Sequence, residues 1–131
     1  MMKVRYLADT QILLWYVSGS SLLPLTVREQ LTSDADVYFS IESLRGIAIK
    51  AALGKPRFGY DAREIYEFLI DSSWLELPIS AAHIFALSEL PLLHGDPFDR
   101  MLVAQAQVEG MVLVTSDWML RQYPVPILDA G

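Results

Sequence analysis

Four aspartates form the one arrangement in this 131-residue sequence from which a reaction can be built: Asp9, Asp96, Asp99 and Asp117. Asp9 follows the apolar segment 3–8, which reads as a short strand, and Asp117 follows the strongly β-prone segment 111–115. Asp96 and Asp99 open a helix expected to run to Glu109, directly ahead of that second strand. In open α/β sheets ligands collect beyond the carboxyl ends of the strands, so these positions are expected to converge on one sheet edge. Carboxylates gathered with no lysine or arginine among them repel one another, and a cation is their natural partner. The chain has no cysteine and only two histidines, His83 and His94, so hard oxygen donors favour magnesium or manganese over zinc. Such ions, kept partly hydrated, activate water and neutralise charge on a phosphodiester in transfer. That is the chemistry of metal-dependent nucleases.

Each of these residues also has a plain structural use. Asp9 can cap the helix that follows it, and Asp96 can cap one that begins at Pro97. Asp99, in the first turn, complements the helix dipole, and Asp117 can cap a turn over 118–122. His94 reads as a loop residue, His83 as a helix-surface or core residue, and the stripe Ile12 to Tyr16 as packing. Other chemistries fail on motif. There is no phosphate loop, dinucleotide fingerprint or nucleophile elbow. A phosphoacceptor receiver would need an acidic pair near the first strand and a late lysine, but no lysine follows Lys55. A phosphatase of the Asp-x-Asp type needs an acid where Gln11 stands.

The elements that must position the aspartates alternate. A buried helix is expected over 10–17, and a short one toward Leu31 behind a capping box at Thr26-x-x-Glu29. A strand at 37–39 leads to a helix over 41–53, capped by Ser40 and closed by Gly54 before Pro56. Asp61-x-x-Glu64 opens another helix, 75–77 is a brief strand, and Ser80 caps a helix over 81–90. The helix from Pro97 ends at Gly110, and a last strand is expected at 125–128. Strands alternating with helices imply a parallel sheet between helical layers.

Hydrophobic residues make up 53% and charged residues 20%, enough for a proper core and against disorder. The apolar balance hints at a buried partner surface such as a dimer interface. No apolar run reaches the roughly 18–20 residues that span a bilayer or makes a signal-peptide core, so cytoplasmic residence is the default. A net charge of −6 argues against bulk affinity for nucleic acid. The charge is uneven, however: residues 1–60 hold seven basic and five acidic groups, residues 61–131 three and eleven. The run Arg45, Lys50, Lys55, Arg57 contains no acid and reads either as a solvated helix face, the commoner case, or as a local basic patch.

Four segments in order resemble the PIN-domain proteins of the VapC type, toxins of bacterial toxin–antitoxin pairs. Leu7-Ala8-Asp9-Thr10-Gln11-Ile12-Leu13-Leu14-Trp15 resembles the family's opening L-D-T-H-A-L-L-W. Ser43-Leu44-Arg45-Gly46-Ile47-Ala48-Ile49-Lys50 with Leu53-Gly54-Lys55 resembles S-L-W-E-I-A-I-K…L-G-K. His94-Gly95-Asp96-Pro97-Phe98-Asp99-Arg100 with Ala104-Gln105-Ala106 resembles H-R-D-P-F-D-R…A-Q-A, and 112–117 resembles the late strand ending in T-x-D. The resemblance spans nearly the whole chain. It implies one PIN-like domain over 1–131, a three-layer α/β/α sandwich with a central, mostly parallel sheet. It further implies a magnesium- or manganese-dependent endoribonuclease, restrained by a cognate antitoxin and usually a homodimer. Position by position, Asp9, Asp99 and Asp117 match three of the family's four metal-site acids, Asp96 an additional acid beside them, and Thr115 and Ser116 small polar groups near the last.

The fourth acid is missing: where the family has Trp-Glu, this chain has Arg45-Gly46. Glycine inside a helix costs about 1 kcal/mol relative to alanine. Glu42, one turn earlier, is the nearest carboxylate, and helical side chains lean toward the N-terminus, so it is expected to point away from the vacated place. Arg45 and Lys50 are candidates for gripping RNA phosphates. The rival reading is a catalytically decayed PIN domain that binds an antitoxin and dimerises.

Overall fold

The computed structural model describes residues 3–33, 35–54 and 59–131. Five strands form one sheet in the order β3-β2-β1-β4-β5. They are β1 (Arg5–Ala8), β2 (Asp36–Ser40), β3 (Leu75–Leu77), β4 (Val112–Thr115) and β5 (Ile127–Asp129). All four pairings are parallel. Six helices connect them: α1 (Thr10–Ser18), α2 (Leu25–Thr32), α3 (Ile41–Ala52), α4 (Ala62–Asp71), α5 (Ala81–Glu89) and α6 (Pro97–Glu109). This is the α/β/α sandwich expected from the alternation of elements, with every described strand pair parallel.

Alternating side chains on each strand sort the core into two halves. Ala8, Val37, Phe39 and Val114 join Ile12, Leu13, Val27, Ile47, Ile65 and Leu69 in one apolar cluster, which places α1–α4 on one face. Leu7, Leu77 and Leu113 join Leu90, Leu102, Val103 and Leu120 in the other, which places α5 and α6 on the opposite face. Beginning at β1 in the centre, the chain builds outward through β2 and β3, then returns to add β4 and β5 on the other side. The reversal falls between β1 and β4. The crevice beyond their carboxyl ends is the topological switch point.

Local signals explain most boundaries. Ser40, Asp61, Ser80 and Asp96 each accept a backbone N–H from the first turn of the helix they precede. Gly110 stops α6 in the left-handed conformation (φ 68°), where glycine carries no steric cost. Three expectations need correction. The Thr26-x-x-Glu29 capping box does not form: α2 already begins at Leu25 behind Pro24, with no side-chain cap. The preset φ of proline supplies that entry instead. The turn after Asp117 is a 3-10 helix of only three residues, Leu120–Gln122, with Met119 at its cap. Asp117 still accepts the Met119 N–H at 2.9 Å. Finally, α3 ends at Ala52 with Leu53 as its cap, one residue before the expected end, while Gly54 follows in the left-handed conformation (φ 62°) of the expected stop. Lys55, Pro56 and Arg57 of the basic run lie outside the described residues. No described helix is long and apolar enough to cross a membrane.

A buried polar network unannounced in the sequence ties three elements together. Ser40 donates to Gln105 Oε1 at 2.5 Å, and Gln105 Nε2 donates to the Pro78 carbonyl at 3.4 Å. His83, 1% exposed, accepts the Ser80 N–H on Nδ1 and bonds Glu109 through Nε2 at 2.8 Å. It is a core histidine that completes the α5 capping box.

Candidate metal centre at the switch point

Asp9 is the residue after β1 and the cap of α1, and both duties are visible in its carboxylate. Oδ1 accepts the Ile12 N–H at 2.9 Å, and Oδ2 accepts the Thr115 hydroxyl at 2.5 Å. Thr115 ends β4, and its oxygen in turn accepts the Asp117 N–H at 3.0 Å. One hydroxyl thus couples Asp9, after the first strand, to Asp117, after the fourth. Parallel pairing of Ala8 with Val114 brings the two strand ends side by side.

Asp99 enters from the first turn of α6. Asp96 caps that helix with Oδ1, which accepts the N–H groups of Phe98 (2.8 Å) and Asp99 (3.2 Å). A cavity of about 270 Å³ is lined by Asp9, Asp96, Asp99 and Asp117 together with Thr10, Gly46, Lys50, Phe98 and Ser116. The structure therefore brings all four aspartates to one cavity, with Asp96 already spending one oxygen on its cap. Thr10 donates to Ser43 at 2.8 Å and so binds α1 to α3 beside Gly46.

The electrostatics record the crowding. Burial pushes the Asp9 carboxyl up to about 6 against the opposing hydrogen bonds from Thr115 and Ile12, and Asp117 adds to the rise. Asp99 is pushed up to about 7, first by burial and then by Asp96 and Asp9, with His94 working the other way. Both shifts mean that negative charge is disfavoured here without a compensating cation.

Two expectations about charge are revised. Lys50 lines the cavity, so the cluster is not wholly without a basic neighbour. His94, read from the sequence as an ordinary loop residue, reaches in between the carboxylates. Its Nε2 lies 2.9 Å from Asp117 Oδ2 and 3.4 Å from Asp99 Oδ2. Ligand-capable atoms of His94, Asp99 and Asp117 all lie within 4.8 Å of one another. In the sequence this histidine stood out only as the first residue of the segment that resembles H-R-D-P-F-D-R, two residues before a helix cap, where its Nδ1 accepts the Asp96 N–H.

Gly46 forms part of the cavity wall, and Glu42 is turned to other work. The Glu42 carboxylate is buried and accepts Arg45 Nε at 2.6 Å. That hydrogen bond raises the Arg45 pKa further above its ordinary value. The Arg45 guanidinium also lies 5.0 Å over the Phe98 ring. Of the two proposed phosphate-gripping residues, Lys50 reaches the cavity and Arg45 is held at its edge.

A three-layer sandwich with parallel strands and an acidic cavity at the reversal of strand order is the class that fold and site define together. The PIN domain matches residues 6–126, and the chain belongs to that family. No curated protein matches the chain significantly in sequence. Among solved structures, VapBC2 from Rickettsia felis, bound to a DNA fragment from its promoter, is similar at TM-score 0.72. The identity is 19%, over 98% of this chain and 100% of that one. A toxin–antitoxin complex from Klebsiella pneumoniae gives TM-score 0.68 at 14% identity, over 96% and 98% of the two chains. VapBC-1 from nontypeable Haemophilus influenzae gives 0.64 at 16% identity, over 96% and 98%. At these identities the likeness establishes the fold.

Proposed function

We propose that this PIN-domain protein is a VapC-type toxin, a magnesium- or manganese-dependent endoribonuclease attenuated by the loss of one acid at Gly46. The observation that carries the reading is the convergence of Asp9, Asp96, Asp99 and Asp117 on one cavity at the sheet's switch point. The donor set fits a hard divalent cation: carboxylate oxygens from separate elements, two of them on groups whose charge burial disfavours. Asp9, Asp99 and Asp117 are the residues that would hold the ion, with Asp96 beside them. When bound, such an ion lowers the pKa of its water and neutralises charge on a phosphodiester. The chain's own contribution is positional. Thr115 fixes the Asp9 carboxylate, the α6 cap aims Asp99 inward, and Lys50 offers a cation to the phosphate backbone.

The partners follow from the same reading. Two of the similar structures are VapBC proteins and a third is a toxin–antitoxin complex, which supports an antitoxin as the cognate partner. Exposed apolar residues such as Ile84, Phe85 and Leu92 support burial of further surface in a homodimer. Residence in the cytoplasm and a single domain over 1–131 belong to this proposal. Gly46 favours a second reading, in which the site has decayed and the domain only binds its antitoxin.

One experiment separates the two. The purified protein is titrated with Mn2+ by calorimetry and incubated with a mixed RNA pool. Metal binding with cleavage abolished by Asp99→Asn supports the enzyme. Absence of both supports the decayed domain.

A further inference from the structure

Among the described residues, His94 lies against the site's carboxylates without a role in the reading above. Its ring is held from two sides. The buried Tyr123 hydroxyl accepts the Leu93 N–H at 3.2 Å and the His94 N–H at 3.0 Å, which anchors the loop ahead of α6. The Asp96 N–H points at His94 Nδ1 from 3.1 Å. A backbone N–H can only donate, so Nδ1 is an acceptor and carries no proton. The ring's proton then sits on Nε2, the nitrogen that faces Asp117 Oδ2 at 2.9 Å and Asp99 Oδ2 at 3.4 Å.

This polarity is the reverse of a metal-ligating histidine. A ligating imidazole turns its lone pair to the ion and donates its other N–H outward. Here the outward nitrogen accepts and the inward one donates. The ring is thus built to hold carboxylates, not to coordinate beside them. Its side chain is 14% exposed, so little water competes for the donated hydrogen.

We propose that His94 is a positioning residue: its Nδ1 accepts the Asp96 N–H, its Nε2–H is donated toward Asp99 and Asp117, and the ring stays outside the coordination sphere of the divalent cation they hold. It does not fill the coordination place left open at Gly46. The proposal rests on the reading of the aspartates as cation ligands and adds to it the residue that orients two of them.

The test uses Mn2+ alone as probe on the full chain. Calorimetry gives the affinity of the parent and of the His94→Ala, His94→Gln, Tyr123→Phe and Asp99→Asn variants. Pulsed electron paramagnetic resonance on the Mn2+-loaded parent reads any imidazole nitrogen bound to the ion. The expected spectrum contains no imidazole-nitrogen coupling. His94→Ala is expected to weaken Mn2+ binding roughly tenfold or more, the range seen when an outer partner of a metal ligand is lost. His94→Gln, which keeps an N–H at a similar reach, recovers most of that loss. Tyr123→Phe, which leaves the ring intact but frees its loop, weakens binding by a smaller factor and serves if His94→Ala fails to fold. Nitrogen coupling in the parent would make His94 a ligand and overturn the proposal. Parental affinity in His94→Ala, or no recovery in His94→Gln, overturns it equally, provided Asp99→Asn abolishes binding. No Mn2+ binding by the parent overturns the metal reading of the aspartates, and the role of His94 with it.

Discussion

The ring of Phe98 lies against Gly46: a Cβ at position 46 would stand 3.3 Å from Phe98 Cδ1 and 3.5 Å from Cγ. The missing side chain therefore does two things. It leaves the cavity wall without a side chain at this position, and it lets the first turn of α6 approach α3 closely enough for Phe98 to pack there.

Restoring an acid at this position tests both. Gly46→Ala gains up to about 1 kcal/mol of helix propensity but must displace the ring by a few tenths of an ångström, so the net gain should stay below that figure. Gly46→Glu adds a carboxylate to the proposed ion-holding set of Asp9, Asp99 and Asp117, and binding energy for the ion adds to folding stability. The Mn2+-induced rise in melting temperature should be larger in Gly46→Glu than in the parent or in Gly46→Ala, and RNA cleavage stronger. Equal rises in all three proteins would mean that position 46 does not serve the site.

The raised carboxyls make a signed prediction about pH. Free aspartate titrates at 3.8, and in the fold Asp9 is pushed up to about 6 and Asp99 to about 7. A carboxyl raised in the folded state contributes stability that is complete below the unfolded value and lost as pH rises through the folded one. Metal-free protein should therefore lose this contribution between about pH 4 and 7, on the order of 3 kcal/mol for the shift at buried Asp9. Asp9→Asn removes the titration. Urea unfolding in chelator at pH 4 and pH 8 should show the variant gaining on the parent by about that amount at the higher pH. Parallel pH profiles for the two proteins would defeat the argument. Mn2+ should stabilise the parent more at pH 8 than at pH 5.

Gln105 is fully buried and serves two elements at once, accepting from Ser40 and donating to the Pro78 carbonyl. Gln105→Leu keeps approximate volume while leaving the buried Ser40 hydroxyl without its acceptor, which costs about 1–3 kcal/mol. The denaturant midpoint should fall accordingly. A loss below about 0.5 kcal/mol, the range of ordinary surface substitutions, would show that the network carries no stability.

Lys50 and Arg45 should separate in RNA binding. Lys50 lines the cavity, whereas Arg45 is engaged by Glu42 and stacked over Phe98. Lys50→Ala should weaken RNA binding and lower the slope of log affinity against log salt by about one. Arg45→Ala should change that slope less. Fluorescence anisotropy across a salt series distinguishes them, and identical slopes in Lys50→Ala and the parent would remove Lys50 from the phosphate contacts.

Local chemistry made much of this protein legible. The caps at Ser40, Asp61, Ser80 and Asp96 and the stop at Gly110 depend on hydrogen bonds within a few residues, so the sequence determined those helix ends by itself. The strand–helix alternation and the rule that ligands sit at carboxyl ends are enough to place Asp9, Asp99 and Asp117 at one edge. What escaped was set by contacts between distant residues. The Thr115–Asp9 bond joins residues 106 apart, and the Ser40–Gln105 bond residues 65 apart. No periodicity encodes either. His94 looked like a loop residue because a histidine's role depends on what faces each ring nitrogen. Asp117 and Asp99 come to face it only when β4 is laid beside β1 and α6 is docked on the sheet. The sequence determined which acids were present and which was missing. The tertiary structure alone decided that Phe98 occupies the space over Gly46, that Glu42 is taken by Arg45, and that a histidine stands between two of the remaining aspartates.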